Sequence, residues 1–163
     1  GDVIQMRDGI LEINGVAVKK ERIADLVIPV TQNMRDTAEM DRNPFPCWRP
    51  DMEEASPNGG TQCRYPRFRE TLPGGKSYEI LDLANGLEGD NTEAFVVGEK
   101  DLFLMGDNRD RSRDSRFWGE LPLENLLGKA QFVWLSCEKT LSRVQFLCDP
   151  TSIRWQRFFL RIE

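Results

Sequence analysis

The chain has 163 residues, enough for one domain with a sizeable core, and carries 22 basic against 27 acidic residues for a net charge of −5. That balance argues against nucleic acid as a partner, because phosphate binding wants a basic field. Histidine is absent, which excludes a Ser/His/Asp or Cys/His catalytic arrangement and any zinc site that needs imidazole, so neither metal nor other cofactor is expected. No run approaches the roughly 18 apolar residues of a membrane span, and no charged-then-apolar signal peptide opens the sequence. The chain is therefore expected to be soluble as given, and its abrupt start at Gly1-Asp2-Val3-Ile4 reads as an excised piece of a longer protein.

Taken in order, the first elements form a meander: Val3 to Met6, a turn at Asp8-Gly9, Ile10 to Ile13, a turn at Asn14-Gly15, then Val16 to Val18. Lys19 and Lys20 follow as solvated surface lysines, and Ile23 to Val30 predicts a further strand. Residues 35–60 mix charges, prolines and Asn58-Gly59-Gly60 without periodicity, so a mobile loop or excursion is expected there. Arg64 to Leu72, the turn Pro73-Gly74-Gly75 and Lys76 to Leu83 predict a second hairpin. Ala94 to Val97 and Leu102 to Met105 bracket a short loop and predict a third. Pro122 to Leu127 reads as a helical turn stopped by Gly128, and Lys129 to Ser136 as a strand. The tail Ile153 to Ile162 sets Ile153, Trp155, Phe158, Phe159, Leu160 and Ile162 among arginines, a pattern suited to core packing or to contact with a membrane surface, with core packing expected. The pattern is mainly antiparallel β with little helix, in a single domain spanning 1–163.

Cys47, Cys63, Cys137 and Cys148 form no C-x-x-C pair, so disulfides and free thiols are the alternatives. The local pairing Cys47 to Cys63 and Cys137 to Cys148 closes the shortest loops, and at least one bridge, Cys47 to Cys63 first, is expected.

The stretch Gly106 to Arg116 puts seven charged residues and two hydroxyls into eleven positions. Apolar Leu102 to Met105 and Phe117-Trp118 anchor it at both ends. Taken by itself it is a charged turn with local ion pairs, and its interleaved signs make it a weak footprint for nucleic acid. With Phe103-Leu104-Met105 before it and Phe117-Trp118-Gly119 after it, however, it closely resembles the last sequence box of bacterial type I signal peptidases, serine peptidase family S26. These are membrane-anchored enzymes that remove signal peptides with a Ser/Lys dyad. The opening Gly1 to Val18 also resembles the segment that follows the catalytic lysine in that family, where a P-G-D begins an equivalent hairpin; the last two letters are present here. The two regions stand in the order the family requires.

The resemblance implies a coiled antiparallel β fold of the LexA-like type and a set of supporting residues. A serine hydroxyl is a weak nucleophile, and a lysine accepts its proton only when neutral, hence buried and correctly aimed. On the family pattern Ser112 is the hydroxyl that orients the lysine, Gly106 leaves room for the lysine side chain, Asp114 and Arg116 form the ion pair that braces the loop, and Asp107 supports it; Ser115 is structural. The family's nucleophile lies in an S-M-x-P box upstream of the lysine, and the sequence contains no such box. The chain is therefore expected to be the C-terminal, noncatalytic portion of the catalytic region, inactive alone, with both dyad residues upstream of Gly1. The family further implies a place at the bacterial cytoplasmic membrane with this region on the outer, periplasmic side, held by an N-terminal anchor, with signal peptides of preproteins as substrates. Loss of the upstream strands would expose an apolar edge and favour self-association. A LexA-like self-cleaving protein and a noncatalytic β binding module are the alternatives.

Overall fold

Two Gly-containing turns set the first sheet. Asp8 and Gly9 both take positive φ, 48° and 74°, and Asn14 and Gly15 repeat this at 54° and 75°. Paired positive φ values are the mark of the type I′ turn, whose twist matches that of antiparallel strands. They join β1 (Val3–Arg7), β2 (Ile10–Ile13) and β3 (Val16–Ala17) into the expected meander. The register pairs Ile4 with Ile13 and Met6 with Leu11, so one face of the ribbon is apolar. Ile4, Met6, Leu11 and Val18 form the buried centre, with Ile13, Leu72, Phe95, Phe103 and Met105 packed against them.

The structure, a computed structural model, describes residues 1–40, 45–141 and 144–162. These pack as two compact units, Gly1–Pro29 with Cys47–Leu126, and Val30–Pro46 with Leu127–Glu163.

In the first unit the chain passes from the meander into a second sheet. It is made of β4 (Lys19–Pro29), β5 (Glu53–Ala55), β6 (Thr61–Thr71) and β7 (Ser77–Leu81), with β4, β5 and β7 all paired to β6. The predicted hairpin around Pro73-Gly74-Gly75 is the β6–β7 pair, in register from Thr71 opposite Ser77 to Arg67 opposite Leu81. The predicted third hairpin does not form. β8 (Phe95–Val96) pairs with β1, and β9 (Asp101–Leu102) pairs with β10 (Leu121–Pro122). Strands of two residues carry too little local pairing to close on one another, and Phe95 reaches the core by lying opposite Ile4, with its ring 5.1 Å from that of Phe103. The helical turn after Pro122 is present as a 3-10 turn over Leu123–Asn125.

The stretch 35–60 is more structured than its composition suggests. Helix Gln32–Met40 enters it, with the Thr31 hydroxyl accepting from Met34 N at 3.3 Å as an N-cap. Cys47 is bridged to Cys63 on β6, and β5 follows. Positions 41–44 lie outside the described residues.

The second unit holds that helix, β11 (Phe132–Val133), β12 (Thr140–Leu141), β13 (Val144–Cys148) and β14 (Leu160–Arg161). β11 pairs with β14 and β12 with β13, and a second bridge joins Cys137 to Cys148. The strand expected over Lys129 to Ser136 is reduced to two residues. The tail does not bury itself as expected: Trp155 is 67% exposed and Phe159 55%. Its rings cluster at the surface instead, with Trp134 lying 5.7 Å from Phe158 and 5.3 Å from Phe159. Arginines at 154, 157 and 161 interrupt the tail too often for an inward face to form. No helix among the described residues is long and apolar enough to cross a membrane.

Candidate functional site

Loop 106–116 is held at three places in the first unit. At its start it lies along the end of β7, where Leu81 N donates to the Asp107 carbonyl at 2.8 Å. In its middle, the Asp110 carboxylate accepts from Leu83 N at 2.6 Å and Ala84 N at 2.9 Å. At its end a short helix, Ser115–Trp118, starts with Asp114 as N-cap. Fully buried Ser115 staples this helix to the segment that follows β9, its hydroxyl accepting from Leu104 N at 2.9 Å.

Asp114 is the centre of the loop. Its carboxylate accepts from Gly106 N at 2.8 Å and from Arg116 Nε and Nη2, each at 2.9 Å. The two side chains are 6% and 1% exposed. The Ser112 hydroxyl lies on the same side and helps to hold the carboxylate charged. Burial pushes the Asp114 carboxyl up, but Arg116, the Gly106 amide and the Ser112 hydroxyl together hold it below the usual carboxylate range. Asp110 goes the other way: burial raises it against the pull of the Ala84 and Leu83 amides, and the charges of Asp82 and Asp90 add to the rise.

Gly106 owes its identity to Ser112. A Cβ at position 106 would overlap the Ser112 hydroxyl and come within 2.5 Å of the Ser112 Cβ. The backbone thus passes directly beside the hydroxyl. Asp107 is exposed, and its carboxylate caps the local turn by accepting from Asn108 N at 2.9 Å; what it gives to the fold is its backbone carbonyl.

A second ion pair lies beneath the first. Arg109 is 3% exposed and Glu70, on β6, is fully buried; the guanidinium grips both carboxylate oxygens, Nη1 meeting Oε1 at 2.9 Å. The two pairs touch, because Arg116 Nη2 donates to the Arg109 carbonyl at 2.5 Å. Tyr78 borders the lower pair, its phenol pushed up to about 12 by burial and then by the Glu70 charge. Among the described residues, the buried side-chain polar atoms without a protein partner are Asn108 Oδ1, Arg109 Nε, Asp110 Oδ1 and Arg116 Nη1, all in this loop. Unsatisfied buried polar atoms are rare in folded proteins, and their gathering in one loop makes it the candidate site.

Two cavities flank the loop. One of about 400 Å³ has largely apolar walls, Ile4, Leu11, Ile13, Phe103 and Met105, and reaches Gly106. The other, about 420 Å³, is bordered by Ser112, Arg111, Arg113, Phe117 and Trp48. Trp48 follows Cys47 directly, so the Cys47–Cys63 bridge fixes the base of that wall.

A family model described as signal peptidase, peptidase S26, matches residues 1–135. The chain belongs to that family. Signal peptidase I of Rickettsia bellii is 46% identical over 84 residues, a match covering 47% of this chain and 29% of the relative. Signal peptidase I of Haemophilus influenzae is 45% identical over 76 residues, covering 47% and 20%. That of Rickettsia typhi is 45% identical over 84 residues, covering 47% and 32%. The match thus spans about a third or less of each of these relatives. Strands β1 to β11 and loop 106–116 fall inside the family match, and β12 to β14 lie beyond it.

Of the residues expected to form the site, Gly106 and Arg116 bond the Asp114 carboxylate and Ser112 lies against Gly106, while the Asp107 side chain stands apart. Two residues went unnoticed in the sequence. Glu70 occupies an inward position of β6 between Phe68 and Leu72, and a lone carboxylate in the apolar phase of a strand was the available signal. Lys20 corrects its expected role as a solvated lysine, since it is 11% exposed at its side chain, pairs with Asp82 and donates to the Gly9 carbonyl at 2.9 Å. Its position opposite Glu70 on β6 turns it toward the protein. It is a brace between the first turn and the end of β7.

Proposed function

We propose that this chain is the C-terminal, supporting portion of a signal peptidase I, which cleaves signal peptides from secreted preproteins with a Ser/Lys dyad, and that loop 106–116 aims the lysine. The observation that carries this reading is the place of the Ser112 hydroxyl, directly against the Gly106 backbone and on the side of the Asp114 carboxylate. A carboxylate only accepts, so a hydroxyl that turns its proton that way leaves its lone pairs to accept from an amine. A lysine whose N–H is held by Ser112 keeps its nitrogen lone pair free to take the proton of the nucleophilic serine. The apolar cavity on the Gly106 side of the loop would desolvate the stem of such a lysine and favour its neutral amine.

The dyad itself comes from residues outside 1–163 in this proposal. The sequence has no S-M-x-P box, and Lys20 is engaged by Asp82 and the Gly9 carbonyl. Two bridged cysteine pairs suit an oxidising compartment, which supports a place on the outer side of the bacterial cytoplasmic membrane, reached through an anchor outside the sequence. In this proposal residues 1–163 act as one domain; a single melting transition supports this and two separate ones oppose it. The exposed rings of the second unit favour self-association of the isolated chain, which sedimentation would reveal as concentration-dependent mass.

The test is to incubate a preprotein with the isolated chain and with the full-length protein in membranes, and to map the cut by mass spectrometry. Cleavage at the signal-peptide junction by the full-length protein alone is the expected result. Cleavage by the isolated chain would place the nucleophile within 1–163 and overturn the reading.

A further inference from the structure

The buried pair Glu70–Arg109 lies outside the contacts made by Ser112, yet every step from it to Asp114, beside Ser112, is a direct hydrogen bond or a single residue's backbone. Glu70 is fully buried on β6 and grips Arg109 through both oxygens. The Arg109 carbonyl accepts from Arg116 Nη2 at 2.5 Å. Arg116 then holds Asp114 through Nε and Nη2, each at 2.9 Å, and Asp114 holds the Gly106 amide, against whose residue the Ser112 hydroxyl lies. Glu70 sits 39 residues from Arg109 in sequence, and it is fixed by the central strand of a sheet.

We infer that Glu70 is a positioning residue for the signal peptidase reaction, setting the direction of the Ser112 hydroxyl through two buried ion pairs in series. The inference rests on the reading that Ser112 aims the lysine. Bonds from Leu81, Leu83 and Ala84 tie the loop to the end of β7 and the residues after it, but none of them reaches β6, the central strand. The Glu70–Arg109 pair supplies that tie, and a bidentate guanidinium–carboxylate contact fixes distance and plane together. Strands hold a site more tightly than loops do, and an error of about 1 Å at a catalytic group lowers rates by up to a hundredfold. Both side chains are buried, so each charge depends on the other for compensation.

The experiment uses the full-length peptidase and a preprotein substrate. Glu70→Gln alone leaves Arg109 buried without its charge partner and endangers folding, so the main variant is E70Q/R109Q, which removes both charges and retains two amides able to pair. It is expected to melt as a folded protein and to lower kcat about tenfold with KM changed less than about twofold, the pattern of a group that acts on the chemical step. The decisive comparison adds the same two substitutions to Ser112→Ala. If the pair works through Ser112, the further loss of kcat is less than about twofold, because the group being aimed is already gone.

Wild-type kcat in E70Q/R109Q, with Ser112→Ala slow, overturns this inference and leaves the role of Ser112 standing. A further tenfold loss on top of Ser112→Ala also overturns it, since the pair would then be holding the fold at large. Wild-type turnover in Ser112→Ala removes the underlying reading and the inference with it. If E70Q/R109Q fails to fold, Arg109→Lys keeps the charge while losing the bidentate grip, and the same two comparisons decide.

Discussion

Replacing Asp114 with asparagine removes one charge from the most enclosed ion pair of the loop. The carboxylate takes hydrogen bonds from the Gly106 amide and from Arg116, with the Ser112 hydroxyl beside it, and it is 6% exposed. Asparagine offers one acceptor oxygen in place of two and turns an amide NH2 toward groups that are themselves donors. Arg116, 1% exposed at its side chain, is then left with its charge uncompensated. Removing one partner of a buried pair costs about 3–5 kcal/mol, and the remaining oxygen keeps some of the bonding, so about 3 kcal/mol is expected. For a chain of this length that is a fall in Tm of about 6–12 °C. The effect carries a pH signature. The folded carboxyl of Asp114 lies below its ordinary value, so its contribution is fully present above the ordinary value of about 3.9 and is lost as pH falls through the folded pKa. Thermal melts of wild type and Asp114→Asn should therefore differ most near neutral pH and converge in acid below about pH 4. A Tm within about 2 °C of wild type at pH 7, or a gap that stays constant into strong acid, would refute the reasoning.

Gly106→Ala should lower signal-peptide cleavage by the full-length enzyme by at least about tenfold, because the new Cβ must displace the Ser112 hydroxyl; activity close to wild type would show that the hydroxyl has room to spare. Cys47→Ala with Cys63→Ala opens a loop of sequence separation 16 and should cost about 3 kcal/mol, read by calorimetry, while thiol titration of the native protein should find no free cysteine. Lys20→Met should cost about 3 kcal/mol by leaving buried Asp82 unpaired, whereas the same change at exposed Lys19 should stay within about 0.5 kcal/mol.

The parts of the fold written in adjacent residues were legible. Asp8-Gly9 and Asn14-Gly15 have few conformations open to them between short apolar runs, and Pro73-Gly74-Gly75 left β6 and β7 little choice of partner. The loop was legible because its charges and hydroxyls match a known box. What the sequence hid is non-local. β8 and β9 look like neighbours, yet β8 finds its mate at the other end of the chain in β1. Glu70 sits in an arginine-rich strand that reads as a solvated face, and only the arrival of Arg109 makes it an interior anion. Lys20 is hidden for the same reason, since Asp82 reaches it from 62 residues away. The aromatic tail shows the limit from the opposite side: hydrophobicity marks residues that avoid water, and Trp134, Trp155, Phe158 and Phe159 reduce their exposure by meeting one another at the surface.

The central claim is that Ser112 aims the catalytic lysine, and steady-state kinetics of Ser112→Ala in the full-length peptidase test it most directly. Losing one oriented hydrogen bond of about 1–3 kcal/mol should lower kcat by roughly ten- to a hundredfold while Tm stays near that of wild type. Wild-type turnover in a folded Ser112→Ala enzyme would contradict the account.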